Sequence, residues 1–252
     1  MINEVRIEYM TTDEVGFEIS RGARTAILPL GAVEQHGSHL PLAMDADHAD
    51  ELAVCIAREL DNALVLPTIR VGYSPHHLGF PGTLTLRAST LEAICEDYGR
   101  NLADSGFERL ILFSGHIGNY PVMREFESRL AAKLAPLSVI IFTDGESIID
   151  AWRSSAEKVA YAGTQVGGHA DVAETSVMLA LHPERVRVEH YASGYKGTVD
   201  ADLLDRAFRE GIKAISPNGI LGDPDGASRA IGLACLDAVT TLVARYARAK
   251  GA

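Results

Sequence analysis

Four short apolar runs recur along the first 142 residues, and segments with helical periodicity separate them. The runs cover residues 26–30, 63–67, 109–113 and 138–142, and their length and apolarity predict buried strands. Apolar side chains at spacings of three and four predict helices over 47–60, 89–105 and 121–134. Strands that alternate with helices predict a largely parallel sheet with helices on both faces and right-handed crossovers.

The remainder of the chain is less regular. A capped turn or short helix is predicted at 12–14 and a short strand at 84–86. Helices are predicted over 147–158, 173–181, 202–215 and 227–250, with a glycine-rich loop over 163–171 and turns over 217–226. Since no repeat or linker interrupts the pattern, we expect one domain over residues 1–252.

Composition and charge narrow the function classes. The chain has 252 residues, of which 47% are hydrophobic, and a net charge of −11. Binding to nucleic acid or anionic membranes needs clustered Lys and Arg, so we expect neither partner. The three cysteines form no Cys-x-x-Cys, and no apolar leader or uninterrupted apolar run of about 18 residues occurs. We therefore expect a cytoplasmic protein.

The segment 31–45, directly after the first predicted strand, concentrates the candidate chemistry. It holds Glu34, His36 and Asp45 among glycines and a proline, so we expect a loop there. In an extended segment Glu34 and His36 share a face, and a carboxylate such as Asp45 can bridge two cations. Glutamate, aspartate and histidine together suit Zn²⁺ or Mn²⁺.

Further candidates follow other predicted elements. His116 comes directly after the third strand between Gly115 and Gly118, and ligands bind at the carboxyl ends of parallel strands. The loops of Glu34 and His116 should therefore meet at one edge of the sheet. His169 follows two glycines, and Glu174 opens a predicted helix, where the macrodipole stabilises a carboxylate in any protein.

The sequence gives weaker evidence for roles of the other histidines and for other enzyme classes. We expect His48 on a helix face and assign no role to His39, His76 or His77. No Gly-x-Ser-x-Gly elbow supports a serine hydrolase, and no glycine-rich phosphate motif supports nucleotide binding. The competing interpretation is that the acidic residues are turn or cap residues and that the histidines are solvated.

Several segments resemble the creatininase (creatinine amidohydrolase) superfamily. The resemblance covers most of the chain in order, at residues 30–42, 80–86, 114–119, 168–176 and 219–228. It implies a three-layer α/β/α sandwich with a mostly parallel central sheet, a homohexamer and a small-molecule substrate. It also implies a centre of two divalent cations, Zn²⁺ and/or Mn²⁺.

The resemblance also implies roles for individual residues. Glu34, Asp45 and His116 would hold one cation; His36, Asp45 and Glu174 would hold the other. His169 would act as an acid or base or orient the substrate, so that His169 and Glu174 are the predicted catalytic residues. Creatininase has a metal-binding glutamate at the position of Gly118, and here Glu174 would supply that carboxylate.

The implied activity is metal-assisted hydrolysis of the C–N bond of a small cyclic amide or formamide. The same centre would also suit hydrolytic C–C cleavage that opens the ring of a cyclic polyol ketone such as an inosose. A third interpretation, of another class, is a non-catalytic metal- or sugar-binding protein.

Overall fold

A sheet of four parallel strands lies at the centre of the computed structural model, which describes residues 4–159 and 166–252. The strands are β1 (Thr25–Leu30), β2 (Ala63–Val65), β3 (Arg109–Ser114) and β4 (Ser138–Ile141), in the order β2-β1-β3-β4. All residues of β1 are buried, and Ile27 pairs with Val65 on one side and Ile111 on the other. The predicted parallel sheet is therefore confirmed.

The helices surround this sheet. They are α1 (Thr12–Ser20), α2 (Met44–Leu60), α3 (Ala88–Asp104), α4 (Tyr120–Leu134), α5 (Gly145–Lys158), α6 (Val172–Leu181), α7 (Ala201–Glu210), α8 (Ile212–Ile215) and α9 (Arg229–Ala249). Helix α2 packs on β1 and β2 and contacts α6 and α9, whereas α3 and α4 contact each other and α4 contacts β4. The crossover through α2 leads from β1 to β2 at one edge of the sheet. The crossovers through α3 and α4 lead in the opposite direction, toward β4 at the other edge. Right-handed crossovers then place these helices on opposite faces, as the predicted three-layer sandwich requires.

Several predicted element boundaries are wrong. The second strand ends at Val65 rather than at residue 67, and Leu84 makes only an isolated bridge with Val33. The predicted helix over 202–215 is two helices, because Gly211 has a φ of 85° that no helix accepts. The predicted loop over 163–171 begins outside the described residues, and its part from 166 is not helical.

The start of α2 is the boundary that matters most for the site. The helix begins at Met44, three residues before the predicted start, so Asp45 lies in its first turn and not in a loop. The N-cap is Ala43, which has no side-chain acceptor to mark the boundary. This position stabilises the ionised carboxylate of Asp45, because the helix dipole is positive in the first turn.

Helix α9 is long and apolar enough to cross a membrane by length and composition alone, but half of that window is buried inside the protein. It contacts α2, α5 and α6. Its buried face includes Ile231, Cys235, Val239 and Val243, at helical spacing. Helix α9 is thus packed as a core helix.

Candidate metal centre and active-site cleft

The side chains of Glu34, His36, Asp45 and His116 meet at the carboxyl edge of the sheet. Glu34 and His36 follow β1, His116 follows β3, and β1 and β3 are neighbours. Asp45 reaches the same place from the first turn of α2. All four residues are buried, with His116 the most accessible at 6%. The expected convergence of the Glu34 and His116 loops is confirmed.

The segment before α6 and the first turn of α6 complete the cluster with His169 and Glu174. Glu174 Oε2 lies 3.6 Å from His36 Nε2 and accepts a hydrogen bond of 2.6 Å from the backbone N–H of Ala170. The backbone N–H and C=O of His169 bond to Leu221 in an antiparallel bridge. Residues more than 120 positions apart in the chain therefore form one cluster.

Two sets of donor atoms share Asp45. Glu34, Asp45 and His116 form one set, and His36, Asp45 and Glu174 form the other; within each set the donor atoms lie within 4.8 Å of one another. Asp45 Oδ1 is 3.3 Å from His36 Nε2, and Asp45 Oδ2 is 3.4 Å from His116 Nδ1. Each oxygen thus faces a different set.

Backbone carbonyls select one tautomer of His36 and one of His116 when these rings are neutral, the form in which a histidine binds a metal. His36 Nδ1 lies 3.1 Å from the carbonyl oxygen of Glu34, which can only accept, so Nδ1 carries the hydrogen and Nε2 keeps its lone pair. His116 Nε2 lies 3.2 Å from the carbonyl oxygen of Tyr73, so His116 Nδ1 keeps its lone pair. Both lone pairs face Asp45, as metal-ligating histidines with such outer partners require.

The charges of the cluster fit divalent cations. Among the described residues, the ion-pair partners of Glu34, Asp45 and Glu174 are all histidines. Both carboxylate oxygens of Glu34, Asp45 Oδ2 and His36 Nε2 are buried without a hydrogen bond to any described residue. Buried carboxylates need a partner charge. Oxygen and imidazole donors of this kind suit Zn²⁺ or Mn²⁺.

Burial and the charges of neighbouring residues shift the pKa values of the cluster without metal. Burial raises the pKa of Glu34 to about 7 and that of Glu174 to about 8. Burial would also raise the pKa of Asp45, but the His36 and His116 charges hold it well below its usual range. Burial would lower the pKa of His36, but the Asp45 carboxylate outweighs this and raises it to about 10. The cluster thus retains protons in place of cations.

His169 presents an unprotonated nitrogen to this cluster. Its Nε2 lies 2.7 Å from the carbonyl oxygen of Gln35 and therefore donates, which leaves the lone pair on Nδ1. Nδ1 lies 3.9 Å from both Glu34 Oε1 and Glu174 Oε2. Burial, followed by the charge of His36, lowers the pKa of His169 well below 6.5. A neutral imidazole held in this way is a proton acceptor.

The family model for creatininase, described as creatinine amidohydrolase, matches residues 8–247. The chain belongs to the creatininase family. It is therefore a metal-dependent hydrolase of the amidohydrolase type. A mycofactocin precursor peptide peptidase of Mycobacterium ulcerans is 32% identical, over 88% of this chain and 84% of its own. A creatinine amidohydrolase of Pseudomonas putida is 32% identical, over 75% of this chain and 76% of its own.

Solved creatininase structures share the fold. One titled as the Mn form and one titled as a mutant of Zn–Zn type each have a TM-score of 0.83 and 26% identity, and each match covers 98% of both chains. Creatininases are thus known with zinc and with manganese, the two metals that the donor atoms of this chain suit.

Position 118 explains a departure from the creatininase pattern. A Cβ added at Gly118 would lie 2.2 Å from His116 Nε2 and 2.9 Å from His76 Cε1. The two histidine rings therefore occupy the room that a longer side chain would need. Across the cluster, the Glu174 carboxylate lies 3.6 Å from His36.

Asp171 organises the loop that carries His169. It is buried, and burial raises its pKa. Its Oδ1 accepts from the backbone N–H groups of Ala173 and Glu174 at the start of α6, and its Oδ2 accepts from those of Gly167 and Gly168. One carboxylate thus ties the glycine pair to the helix that presents Glu174.

We expect Asp171→Ala to destabilise the protein by ~2–4 kcal/mol, because a helix cap is lost and buried N–H groups are left unpaired. Urea unfolding measures this change. The control is Asp144→Ala, which removes the exposed N-cap of α5 and should cost about 1 kcal/mol. Equal losses for the two variants would show that Asp171 is only a helix cap.

The sequence analysis missed the approach of His77 to Glu34. Gln35 Nε2 donates to the carbonyl oxygen of Gly219 at 3.0 Å, and Gln35 Oε1 accepts from Gly37 N–H. The amide is thereby fixed, and its nitrogen also lies 3.0 Å from His77 Nδ1. His77 Nδ1 must accept, so His77 Nε2 carries a hydrogen and lies 3.2 Å from Glu34 Oε1. In the sequence, the only signal for this contact was the alternation of Glu34, Gln35 and His36.

The remaining histidines have distinct surroundings. His39 Nε2 lies 2.9 Å from Thr175 Oγ1, behind the cluster. His48 is buried on α2 near Trp152, with a distance of 6.0 Å between ring centroids. His76, to which the sequence analysis gave no role, lines a cavity of about 290 Å³ that is bordered by Glu34, His116, His169 and Glu174. This cavity is the space in which a substrate would meet the cluster.

Proposed function

We propose that this protein holds two divalent cations, Zn²⁺ and/or Mn²⁺, and hydrolyses the C–N bond of a carboxamide such as a small cyclic amide, a formamide or a short peptide amide. The observation that carries the proposal is the position of Asp45, whose two oxygens face two different donor sets. Buried carboxylates whose ion-pair partners are histidines support it.

We assign Glu34, Asp45 and His116 to one cation and His36, Asp45 and Glu174 to the other. Bound cations of this kind supply Lewis-acid polarisation of a carbonyl oxygen and lower the pKa of water from about 15.7 to near 7. The outer hydrogen bonds of His36 and His116 fix the nitrogen that each ring presents.

His169 and Glu174 are the proposed catalytic residues. His169 Nδ1 takes a proton from the attacking water and delivers it to the leaving nitrogen. Its Nε2–H, bonded to Gln35, keeps Nδ1 in the acceptor form. Glu174 acts as a ligand whose Oε2 is fixed by Ala170 N–H, and it supplies negative charge beside the protonated His169.

The lining of the cavity supports an amide rather than the alternative substrates. Its lining away from the cluster is mainly apolar and includes Ile117, Ile149, Leu204 and Phe208. A cyclic polyol ketone needs hydrogen-bond partners for its hydroxyl groups, and a sugar-binding protein needs the same. The lining therefore favours an amide over these alternatives. A homohexamer, a single domain and a cytoplasmic location stay predictions.

Metal analysis together with a substrate screen tests the proposal. Protein purified without chelator should contain about two equivalents of Zn or Mn, and removal of the metal should abolish hydrolysis until Zn²⁺ or Mn²⁺ is returned. The screen compares cyclic amides, formamides and short peptides with cyclic polyol ketones. Less than about one equivalent of metal, or hydrolysis that persists in chelator, would contradict a metal-dependent reaction.

A further inference from the structure

A second cavity adjoins the one beside the metal cluster. It has a volume of about 250 Å³. The two cavities share part of their walls, namely Ile149, Gly167, Gly168, Val199 and Leu221. We call the one beside the cluster the inner cavity and the other the outer cavity. The common lining residues place the two cavities side by side.

The inner cavity suits an apolar group. Leu204, Ala207 and Phe208 of α7, at spacings of three and four, line one side of it. The ring of Phe208 lies 4.3 Å from that of His76 between centroids, and Phe208 is still 36% exposed. A substrate group that covers this ring would remove apolar surface from water.

The outer cavity differs in charge. Arg153 and Lys196 line it, and no Asp or Glu of the described residues does. Arg153 pairs with Asp150 at 2.8 Å and Lys196 pairs with Asp223 at 3.2 Å, and neither of these two carboxylates lines the cavity. Side chains this exposed, at 47% and 60%, form weak ion pairs that an incoming anion can rearrange.

We propose that the cleft binds a linear amide that carries an apolar group next to the cleaved bond and a carboxylate further along, as in N-acyl amino acids and short peptides. The inference rests on the proposed function, because the metal centre would hold the cleaved bond. The apolar group would fill the inner cavity, and the carboxylate would reach Arg153 and Lys196 in the outer cavity. A small ligand without these groups would leave both subsites empty.

Calorimetric binding of hydroxamates to the zinc-loaded protein tests the proposal, because a hydroxamate binds divalent metals directly. The probes are acetohydroxamate, a benzylsuccinyl hydroxamate joined to glycinamide, and the same compound joined to glycine, which replaces the terminal carboxamide with a carboxylate. The glycinamide probe should bind at least about tenfold more tightly than acetohydroxamate. The glycine probe should gain a further factor of about three to ten, and about 0.5 M salt should remove that gain.

Matched variants test which residues produce the gain in affinity from the benzyl group and the gain from the carboxylate. Phe208→Ser should reduce the preference for the benzyl group about tenfold, whereas Phe17→Ser, an exposed ring on α1, should not. Arg153→Gln with Lys196→Gln should abolish the preference for the carboxylate. The control is Arg100→Gln with Lys133→Gln, which removes two ion-paired cations from α3 and α4.

The outcomes separate this inference from the proposed function. Equal affinity for the glycine and glycinamide probes, with acetohydroxamate still bound, would overturn the inference and leave the metal centre standing. A carboxylate preference that survives the double substitution at Arg153 and Lys196 would also overturn it. Failure of the protein to take up Zn²⁺ would overturn the proposed metal centre and the inference together.

Discussion

Asp45→Asn should release both cations together and reduce hydrolysis by more than about 100-fold. The loss should be this large because outer partners of metal ligands already account for about 10–100-fold in affinity or activity, and Asp45 belongs to both donor sets. An amide oxygen carries no full negative charge, and its NH₂ group cannot bind a cation. Metal content after gel filtration and the rate on the best substrate measure the two effects.

Asp50→Asn is the matched control for this variant. Asp50 lies on the same helix, but its carboxylate accepts from Arg6 and Thr68 away from the cluster. The Asp50→Asn variant should keep both equivalents of metal and an unchanged rate of hydrolysis. If Asp45→Asn kept one tightly bound cation, Asp45 would belong to a single site and the bridging role would be wrong.

His169→Ala should keep both cations and lose about 10²–10⁴-fold in rate, the range of general acid–base catalysis. Within the described part of the chain, the carboxylate oxygens paired with Nδ1 of His169 are two, both at 3.9 Å, whereas the proposed ligand atoms of the two sets include none from His169. Measurements of metal content and of kcat on the same preparation test both parts.

The position of His169 also allows a different outcome. Glu34, His36 and His169 form a third set of donor atoms within 4.8 Å, so loss of metal from His169→Ala would make His169 a ligand. His182→Ala provides the control, since His182 lies at the end of α6 outside the cluster. It should change neither metal content nor rate.

The sequence located the main candidates because their signals are local. Strand length, helical periodicity and the density of Glu and His after the first strand are properties of short segments. The parallel arrangement then placed the Glu34 and His116 loops at one edge, since neighbouring parallel strands end together. The family resemblance added the pairing of Asp45 with both sets, and the structure brings the atoms of each set together.

The rest of the site depends on contacts between distant segments. Gln35 bonds to Gly219, 184 residues away, and Gln35 O receives the bond of His169, 134 residues away. No local pattern encodes such pairings, and so the role of His77 beside Glu34 was missed. The start of α2 was misplaced for another reason, because its N-cap is an alanine that makes no side-chain bond.

By itself, the sequence determined the order of strands and helices, the sheet edge that carries the chemistry and the residue types that suit two divalent cations. These follow from periodicity and from donor chemistry within short segments. Only the tertiary structure decided which nitrogen each histidine presents, how Asp171 holds the loop of His169, and that the cleft has an apolar and a cationic part. Those features arise where the folded chain brings together backbone carbonyls, glycines and helices that are remote in sequence.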